Sequence, residues 1–304
     1  HDYLMFFTNT GRVYIERVYQ IPEGSRIAKG RSIKNLLNLK PDESIASVLR
    51  IEAVGNEDKD ATFVEDKFVL FATRSGKVKK TKLSDFRNFR KDGIIAIKIE
   101  EGNELIDVKM TDGTDDISLV TSKGYAVRTA ESNIRSMGRP SAGVRGINPR
   151  DDDYLVSLAV VDNSEQLLVV SEKGLGKRTP FEDYPTKGRG GKGVITMKVT
   201  EKTGRVVKAL RVSEDDEVML MTNKGQSVRI KASSARLTGR NAQGVILMKT
   251  KDGEAIQDIA RVVSDDVEEE DAGDETVEGA SEEAKGADGS ADTETAGEDT
   301  SGEE

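Results

Sequence analysis

The sequence lacks several residue types on which common protein sites depend. Its 304 residues include no cysteine and no tryptophan, and the single histidine is His1. The absence of cysteine excludes a disulfide framework and thiolate metal sites. One histidine excludes a histidine-cluster metal centre and a Ser-His-Asp triad within the chain. We therefore predict no catalytic residue and no metal site of these kinds.

Long apolar runs are also missing. No stretch approaches the roughly 20 apolar residues that a membrane helix needs, and nothing resembles a signal peptide. We therefore predict a cytoplasmic protein with no membrane partner. The chain begins at His1 without a methionine and at once enters the apolar run "YLMFF", so we expect it to be a fragment of a longer protein.

Charge is distributed very unevenly along the chain. Residues Asp265 to Glu304 contain 18 Asp and Glu and one lysine, Lys285, so this segment carries −17. The preceding 264 residues contain 37 acidic and 45 basic side chains and carry +8. The acidic segment has few large apolar side chains with which to offset the entropy of ordering. We therefore predict a folded domain over 1–264 and a disordered acidic tail over 265–304.

The folded part is an internal repeat. Five segments place Ser or Thr three residues before a glycine, and each is followed 17 to 19 residues later by a second glycine. The first glycines are 65, 48, 50 and 51 residues apart, and the longest interval holds a polar insertion. The first glycines are Gly11, Gly76, Gly124, Gly174 and Gly225, and the second are Gly30, Gly93, Gly143, Gly193 and Gly244.

Each unit of about 50 residues offers four short strand-like segments. In the fourth unit they are "LLVV", "GKRT", "VITMKV" and "VVKALRV". Four short strands at this period, with few candidate helices, predict an all-β propeller whose repeats form blades around an axis. A β-sandwich is the alternative, but it does not require such regular recurrence.

The stretch "KGRGGKGV" raises a different hypothesis, because Gly188, Gly190 and Gly193 satisfy G-x-G-x-x-G. In a dinucleotide-binding unit these glycines open a helix whose amides face the pyrophosphate. Here the strand-like "VITMKVT" follows, in which Ile195, Met197 and Val199 alternate with polar residues. Only one of five sibling loops has the pattern, so a nucleotide-dependent enzyme is the weaker interpretation.

What the sibling loops share is positive charge. One series of cations accompanies the second glycine and another lies four residues after the first glycine, with near neighbours in both. Cations at equivalent places in successive blades predict a basic belt around the edge of the propeller. The predicted DNA-binding residues are Arg26, Lys29, Arg31, Lys79, Lys80, Arg90, Lys91, Arg128, Arg139, Arg145, Lys177, Arg178, Lys187, Arg189, Lys192, Arg229 and Arg240.

Such a belt suits a polyanion held through its backbone. Aromatic residues make up only 5% of the chain, so a stacking platform for single strands is poorly supplied. Duplex DNA bent over a curved surface fits better, with specificity from deformability. A propeller used for protein binding is a second interpretation, which salt-sensitive DNA retention distinguishes from the first.

Several long stretches carry a family resemblance. The segments "HDYLMFFTNTGRVYIERVYQIPEGSRIAKGR", "GNELIDVKM", "MGRPSAGVRGI", "GKRTPFEDYPTKGRGGKGVI" and "GRNAQGVILMKT" closely resemble the C-terminal domain of the DNA gyrase A protein. The hallmark "QRRGGKG" box of that family is absent, "KGRGGKG" is a divergent sibling, and the hallmark is expected upstream of His1.

The resemblance implies a six-bladed β-pinwheel with strands exchanged between blades, here as five repeats plus part of another. It also implies that the domain wraps duplex DNA so that DNA gyrase, a type II topoisomerase, introduces negative supercoils with ATP. Catalysis, ATP and Mg²⁺ then belong to other parts of an A2B2 holoenzyme with the gyrase B protein, at the nucleoid. The C-terminal domain of the corresponding A-type protein of topoisomerase IV is the close alternative.

Overall fold

A computed structural model describes residues 1–24, 30–54 and 59–262, the side chains of 59 and 60 excepted. These residues form five antiparallel sheets, four of four strands and one of three. The strands are β1 (Tyr3–Thr8), β2 (Arg12–Arg17), β3 (Ile45–Ile51), β4 (Phe68–Thr73), β5 (Lys77–Lys82), β6 (Ile94–Ile95), β7 (Leu105–Thr111), β8 (Asp116–Thr121), β9 (Tyr125–Ala130), β10 (Val144–Arg145), β11 (Leu155–Val160), β12 (Gln166–Ser171), β13 (Leu175–Pro180), β14 (Val194–Ile195), β15 (Val206–Val212), β16 (Glu217–Thr222), β17 (Ser227–Lys231), β18 (Val245–Ile246) and β19 (Ile256–Val262).

Helical structure is minor throughout the described ranges. One α-helix, α1, spans Lys59–Thr62, and no helix there is long and apolar enough to cross a membrane. Short 3-10 helices occupy Val18–Gln20, Ile33–Asn35, Leu83–Phe86, Glu131–Asn133, Phe181–Asp183 and Ala232–Ser234. The predicted all-β, propeller-like fold is confirmed, with five blades.

The Ser or Thr and the glycine that recur in the sequence build the tight turn of each blade. The hydroxyl of Thr73, for example, accepts a hydrogen bond from the backbone N–H of Lys77 at 3.2 Å, which closes the turn between β4 and β5. Gly124 has φ +76° and a Cβ there would lie 2.2 Å from the carbonyl oxygen of Met197. Glycine is required because the turn is left-handed and the next repeat packs directly against it.

The outermost strand of each complete blade comes from the following repeat. Strand β6 pairs with β2, β10 with β5, β14 with β9 and β18 with β13. We call β6, β10, β14 and β18 the exchange strands. The strand exchange implied by the family resemblance is therefore present. The sequence pattern had grouped "VITMKV" with its own repeat and made it longer than the two residues of β14.

The hydrophobic cores lie between blades. Strand β4 is apolar on both faces, because Val69 and Phe71 pack toward the first blade whereas Leu70 and Ala72 pack toward the third. Strands buried on both faces are expected to read as continuous apolar runs. Neighbouring blades therefore stabilise one another. In the described residues the first repeat also holds a smaller cluster of its own around Phe6, Tyr14 and Leu37.

The inner strands β3, β7, β11, β15 and β19 follow one another around the inner side of the blades. Side chains bind the backbone of the next blade there. Asp107 Oδ2 accepts from Leu158 N–H at 3.3 Å, and Ser157 Oγ accepts from Ala209 N–H at 2.7 Å. These bonds satisfy backbone groups that the inner strands leave without a sheet partner.

The fifth blade is incomplete in the described residues. Its outer strand β17 lacks an exchange strand, and nothing lies within 4 Å of a Cβ added at Gly225, where the other four blade turns meet the following repeat. The sixth blade is not among the described residues and stays a prediction. The acidic segment 265–304 also lies outside them.

Candidate nucleic-acid interface

The cation-bearing loops of the third, fourth and fifth repeats lie along the outer strand of the preceding blade. Backbone N–H groups of Met137, Lys187 and Thr238 donate to the carbonyl oxygens of Lys80, Arg128 and Arg178 at 2.8 to 2.9 Å. Each loop then ends at the second glycine and enters its exchange strand. The loops are thus held at the outer edge of the blades by backbone hydrogen bonds.

Two of these loops also contact the segment that follows the exchange strand of the preceding repeat. Lys98 N–H donates to Ser141 O at 3.1 Å, and Asn148 N–H donates to Gly191 O at 2.9 Å. The loops 87–93, 135–143, 185–193 and 236–244 and the exchange strands form a continuous surface, which we call the outer loop surface. A charged ligand that follows this surface meets successive repeats without crossing an unrelated element.

The predicted cations of this surface fall into two groups by exposure. Most have exposed side chains, whereas Arg139 and Arg240 are half-buried. Arg26 and Lys29 lie outside the described residues, and Arg31 is exposed beside them. The exposed group on the outer loop surface consists of Arg90, Lys91, Arg145, Lys187, Arg189 and Lys192.

Three loop arginines are held in place by backbone carbonyls. Arg139 donates to Ile95 O at 3.3 Å and Arg240 to Ile195 O at 3.4 Å, each at the exchange strand of the preceding repeat. Arg189 donates to Asn133 O and Arg145 O at 3.1 and 3.2 Å. A guanidinium has five N–H donors in a rigid fork, so donors remain for a phosphate after these bonds form.

Four predicted DNA contacts are buried instead. Lys79 and Lys177 are 0% exposed, and Lys80 and Arg178 are 7% and 5% exposed. Phosphate contact by these four side chains does not fit their positions. They lie three and four residues after the turn glycine, where the loop of the next repeat covers the outer strand.

Each of these buried cations has partners within the domain. Lys80 Nζ donates to Glu131 O at 3.3 Å and lies 3.5 Å from Glu131 Oε1. Arg178 donates from Nε to Ala235 O at 2.9 Å and from a terminal nitrogen to Gln166 Oε1 at 3.0 Å. Buried charges need such partners, and the bonds to Glu131 and Ala235 join each blade to the next repeat.

Lys79 and Lys177 are fully buried at equivalent positions and donate to backbone carbonyls. Lys79 Nζ donates to Ala96 O at 2.6 Å and to Arg139 O, and Lys177 Nζ donates to Gly239 O and Arg240 O at 2.7 and 2.6 Å. Burial lowers the pKa of Lys79 to about 7 and that of Lys177 to about 8.

The last two predicted cations, Arg128 and Arg229, differ from each other in burial. Arg128 is half-buried, with Nε 2.8 Å from Asp116 Oδ2, and it also donates to Phe181 O at 2.9 Å. Arg229 is exposed on β17 and pairs with Glu217. Arg229 therefore remains accessible, whereas Arg128 is tied to the following repeat.

Sequence reasoning missed one recurrent set of cations. Lys98, Lys198 and Lys249 are exposed and lie five residues after the second glycine in three repeats. Their constant distance from the second glycine could have identified them, since the same kind of recurrence identified the other two series of cations. Arg150 was also missed; it donates to Lys192 O at 2.6 Å and stacks 3.5 Å from the ring centroid of Tyr125.

One carboxylate cluster lies in the described residues, at Asp112, Asp115 and Glu131, with one oxygen of each within 4.8 Å of the others. Glu131 Oε1 accepts from the Thr111 hydroxyl at 2.7 Å and faces Lys80. The positive charge of Lys80 lies beside the cluster, so the carboxylates are accounted for by the contact between the second and third blades, and they do not require a metal ion. The G-x-G-x-x-G glycines precede β14, a strand, which does not fit a dinucleotide-binding turn.

Comparison with known families identifies the repeat. A family model described as the DNA gyrase C-terminal domain, beta-propeller, matches residues 2–52, 67–112, 115–162, 165–213 and 216–262. The five matched segments correspond to the five blades.

Two full-length relatives agree with the family model. The chain is 44% identical to the DNA gyrase A protein of Clostridium acetobutylicum over 88% of its length and 41% identical to that of Escherichia coli K12 over 93%. It spans 31% of the length of each of these curated relatives.

Two solved structures resemble the fold closely. The chain matches a DNA gyrase A C-terminal domain with TM-score 0.73 and 27% identity, covering 86% of this chain and 83% of that one. It matches the C-terminal domain of DNA topoisomerase IV with TM-score 0.76 and 26% identity, covering 86% and 79%.

Proposed function

This chain belongs to the DNA gyrase C-terminal domain family, and we propose that it wraps duplex DNA around the outer loop surface. The observation that carries the proposal is the continuity of that surface, on which exposed Arg145, Lys187, Arg189 and Lys192 occur in adjoining loops. Backbone phosphates are bound by such cations with release of counterions. Bending then selects sequences by deformability, with little reading of base edges.

We place the folded domain at 1–264 and complete its ring with a sixth blade. The support is that, among the described residues, β17 has no partner on its outer edge and the turn at Gly225 is uncovered. These are the two places where the other blades receive a strand and a loop from the next repeat. Hydrogen exchange tests this completion. In a longer chain that holds the sixth blade, the β17 amides become protected to the level of the β13 amides; unchanged fast exchange contradicts it.

The wider role follows from the full-length relatives, which are DNA gyrase A proteins about three times as long. We propose that the wrapped DNA lets the holoenzyme introduce negative supercoils with ATP. Cleavage, ATP and Mg²⁺ belong to other parts of an A2B2 assembly with the gyrase B protein, in the cytoplasm at the nucleoid.

Topoisomerase IV is the second candidate, since the match to its C-terminal domain has the higher TM-score of the two solved structures compared above. The 41% and 44% identities to gyrase A proteins favour gyrase. A functional assay separates them: fused to a gyrase A catalytic part, this domain supports negative supercoiling if it is a gyrase domain and only relaxation if it is not.

DNA binding is tested by titrating the chain against one duplex at several salt concentrations. If about 6 to 8 phosphates are neutralised, the slope of log K against log salt is about −5 to −7. A duplex of unrelated sequence is the matched ligand and gives a similar slope. Affinity that does not change with salt contradicts the proposal and favours a protein-binding propeller.

A further inference from the structure

Two fully buried lysines have no carboxylate partner within hydrogen-bond distance in the described structure. Lys79 donates instead to the backbone carbonyls of Ala96 in its own repeat and Arg139 in the next. Lys177 donates to those of Gly239 and Arg240 in the next repeat. A lysine is rarely buried in full unless it is paired, because desolvation of its charge is costly. A position that retains such a residue twice needs an explanation beyond packing.

The fold itself does not require lysine there. The equivalent position three residues after the turn glycine holds Val127 in β9 and Val228 in β17, and Tyr14 in β2. These blades have the same hairpin and, in β2 and β9, the same exchange-strand pairing. The lysines therefore serve something that differs among blades.

What differs is the residue beneath an equivalent loop arginine. Arg189 has the place of Arg139 and Arg240 in the loop along β9 and also donates to the preceding exchange strand, but β9 carries Val127 where β5 and β13 carry lysine. Lys79 holds the carbonyl of Arg139, and Lys177 holds the carbonyl of Arg240. The same two arginines reach the preceding exchange strand through their guanidinium groups. Each lysine thus fixes the backbone of a loop arginine from below, while the arginine lies half-exposed on the outer loop surface.

The charged groups around the two lysines match as well. Lys79 faces Arg139 from the following loop and Asp85 from the 3-10 helix after β5, and the Phe71 ring centroid of β4 lies 5.2 Å from its Nζ. Lys177 faces Arg240 and Asp183 in the same arrangement. Tyr184, close to Arg240 and Asp183, has its pKa raised by burial, so it stays neutral between pH 7 and 9.

We propose that Lys79 and Lys177 are positioning residues that couple DNA binding at Arg139 and Arg240 to the uptake of protons. The inference rests on the proposed function and adds a linkage that DNA binding alone does not require. A protonated lysine makes charge-assisted bonds to the loop carbonyls and holds the arginine in its binding position.

The direction in which pH changes DNA affinity follows from the charges of each lysine and the arginine beside it. After burial, the positive charge of Arg139 is the next cause that lowers the pKa of Lys79, and Arg240 has the same effect on Lys177. A phosphate bound at the arginine offsets that charge and raises the lysine pKa. Protons are therefore taken up on binding, and by reciprocity affinity falls as pH rises from about 7 to about 9.

The test is a titration of the whole chain against one duplex between pH 6 and 9.5 at constant ionic strength. We expect affinity to weaken about tenfold, since one unit of pKa change at one site corresponds to a factor of ten. Calorimetry in two buffers with different ionisation enthalpies is expected to show net proton uptake at pH 7.5.

Two pairs of variants distinguish a positioning role of the buried lysines from a general effect of positive charge on DNA binding. Lys79→Met with Lys177→Met is expected to bind DNA more weakly at pH 6.5 and to lose most of the pH dependence and proton uptake. The matched control is Lys98→Met with Lys198→Met, which removes two exposed lysines just after the exchange strands β6 and β14 and keeps the pH dependence. If the methionine pair does not fold, Lys79→Val with Lys177→Val replaces it, since valine occupies the equivalent sites in β9 and β17.

The outcomes distinguish this inference from the proposed function. Salt-sensitive binding that is equally tight at pH 6.5 and 9, or pH dependence unchanged in the methionine pair, overturns the linkage and leaves DNA wrapping intact. Absence of salt-sensitive binding at every pH overturns DNA wrapping itself.

Discussion

Arg178 donates a hydrogen bond from Nε to the carbonyl oxygen of Ala235 at 2.9 Å, fifty-seven residues along the chain. The guanidinium is buried and also reaches Gln166 and Glu214. The same position in the fifth blade holds Arg229, which is exposed and pairs with Glu217 on its own sheet. The same position in the repeat therefore holds a buried arginine that bonds to the next repeat in the fourth blade and an accessible arginine in the fifth blade.

Arg178→Ala is expected to destabilise the domain, because it leaves the Ala235 carbonyl and Gln166 without their charged donor. The loss is about 2 to 4 kcal/mol of unfolding free energy, measured by urea denaturation. Arg229→Ala is the matched control, and we expect a change within about 0.5 kcal/mol because surface pairs contribute little. Equal stability of the two variants would mean that the buried contacts of Arg178 carry no net stabilisation.

Lys187→Ala with Lys192→Ala is expected to weaken DNA binding without unfolding the domain. Both lysines are exposed on the outer loop surface, and removal of two phosphate contacts lowers the magnitude of the salt slope by about 2. The control is Lys202→Ala with Lys251→Ala, two exposed lysines in turns before the inner strands β15 and β19. If both pairs change the slope equally, the outer loop surface is not the binding face.

Deletion of the acidic segment from Asp265 to Glu304 is expected to raise DNA affinity, most strongly at low salt. The segment carries −17 and the preceding residues +8, so its carboxylates compete with phosphates for the same cations. If the segment is disordered, as its composition predicts, its 40 residues have a root-mean-square span of about 35 Å, long enough to reach much of a domain of this size.

The measurement for the acidic segment is a paired titration of the full and shortened chains at several salt concentrations. The difference is expected to shrink as salt screens both contacts. Identical curves at every salt concentration would assign the segment to solubility alone. Weaker binding after deletion would mean that it supports the wrapped state.

The stability of the domain is expected to rise between pH 7 and 10, opposite to its DNA affinity. Lys79 and Lys177 have folded-state pKa values of about 7 and about 8, below the value of 10.5 expected in the unfolded chain. Between these values the unfolded state binds more protons, so unfolding free energy increases with pH. Below about pH 7 both states are protonated and this contribution becomes constant.

Urea unfolding at pH 7 and 9.5 checks that direction. The Lys79→Met, Lys177→Met pair is expected to lose most of the increase, whereas the Lys98→Met, Lys198→Met pair keeps it. An increase of the same size in both pairs would assign it to other groups and would show that the two buried lysines do not titrate in this range.

Much of the blade design was predictable from local signals. Thr73 and Gly76 mark a hairpin because a hydroxyl closes the turn and only glycine readily adopts its left-handed backbone. Recurrence of that pair at constant register predicted repeats and an all-β fold. The local chemistry of a tight turn is contained within a few neighbouring residues, which is why sequence determined it.

The sheet to which "VITMKV" adds a strand could not be predicted in the same way. Val194 and Ile195 pair with β9 of the preceding repeat, and Met197 packs into the core between the third and fourth blades. Alternation specifies that a segment is half-buried, but it does not specify which sheet edge receives it. Pairing between strands some seventy residues apart in the sequence is determined by the tertiary structure.

Which cations face solvent was likewise decided only by tertiary structure. Lys79 and Lys91 are both lysines of the second repeat, yet Lys79 is fully buried and Lys91 is exposed. The sequence by itself determined that cations recur in every repeat and that the chain divides into a basic part and an acidic part. The packing of each loop over the preceding blade decided which cations bind carbonyls inside the domain and which remain accessible, because burial depends on the neighbouring repeat and not on the residue itself.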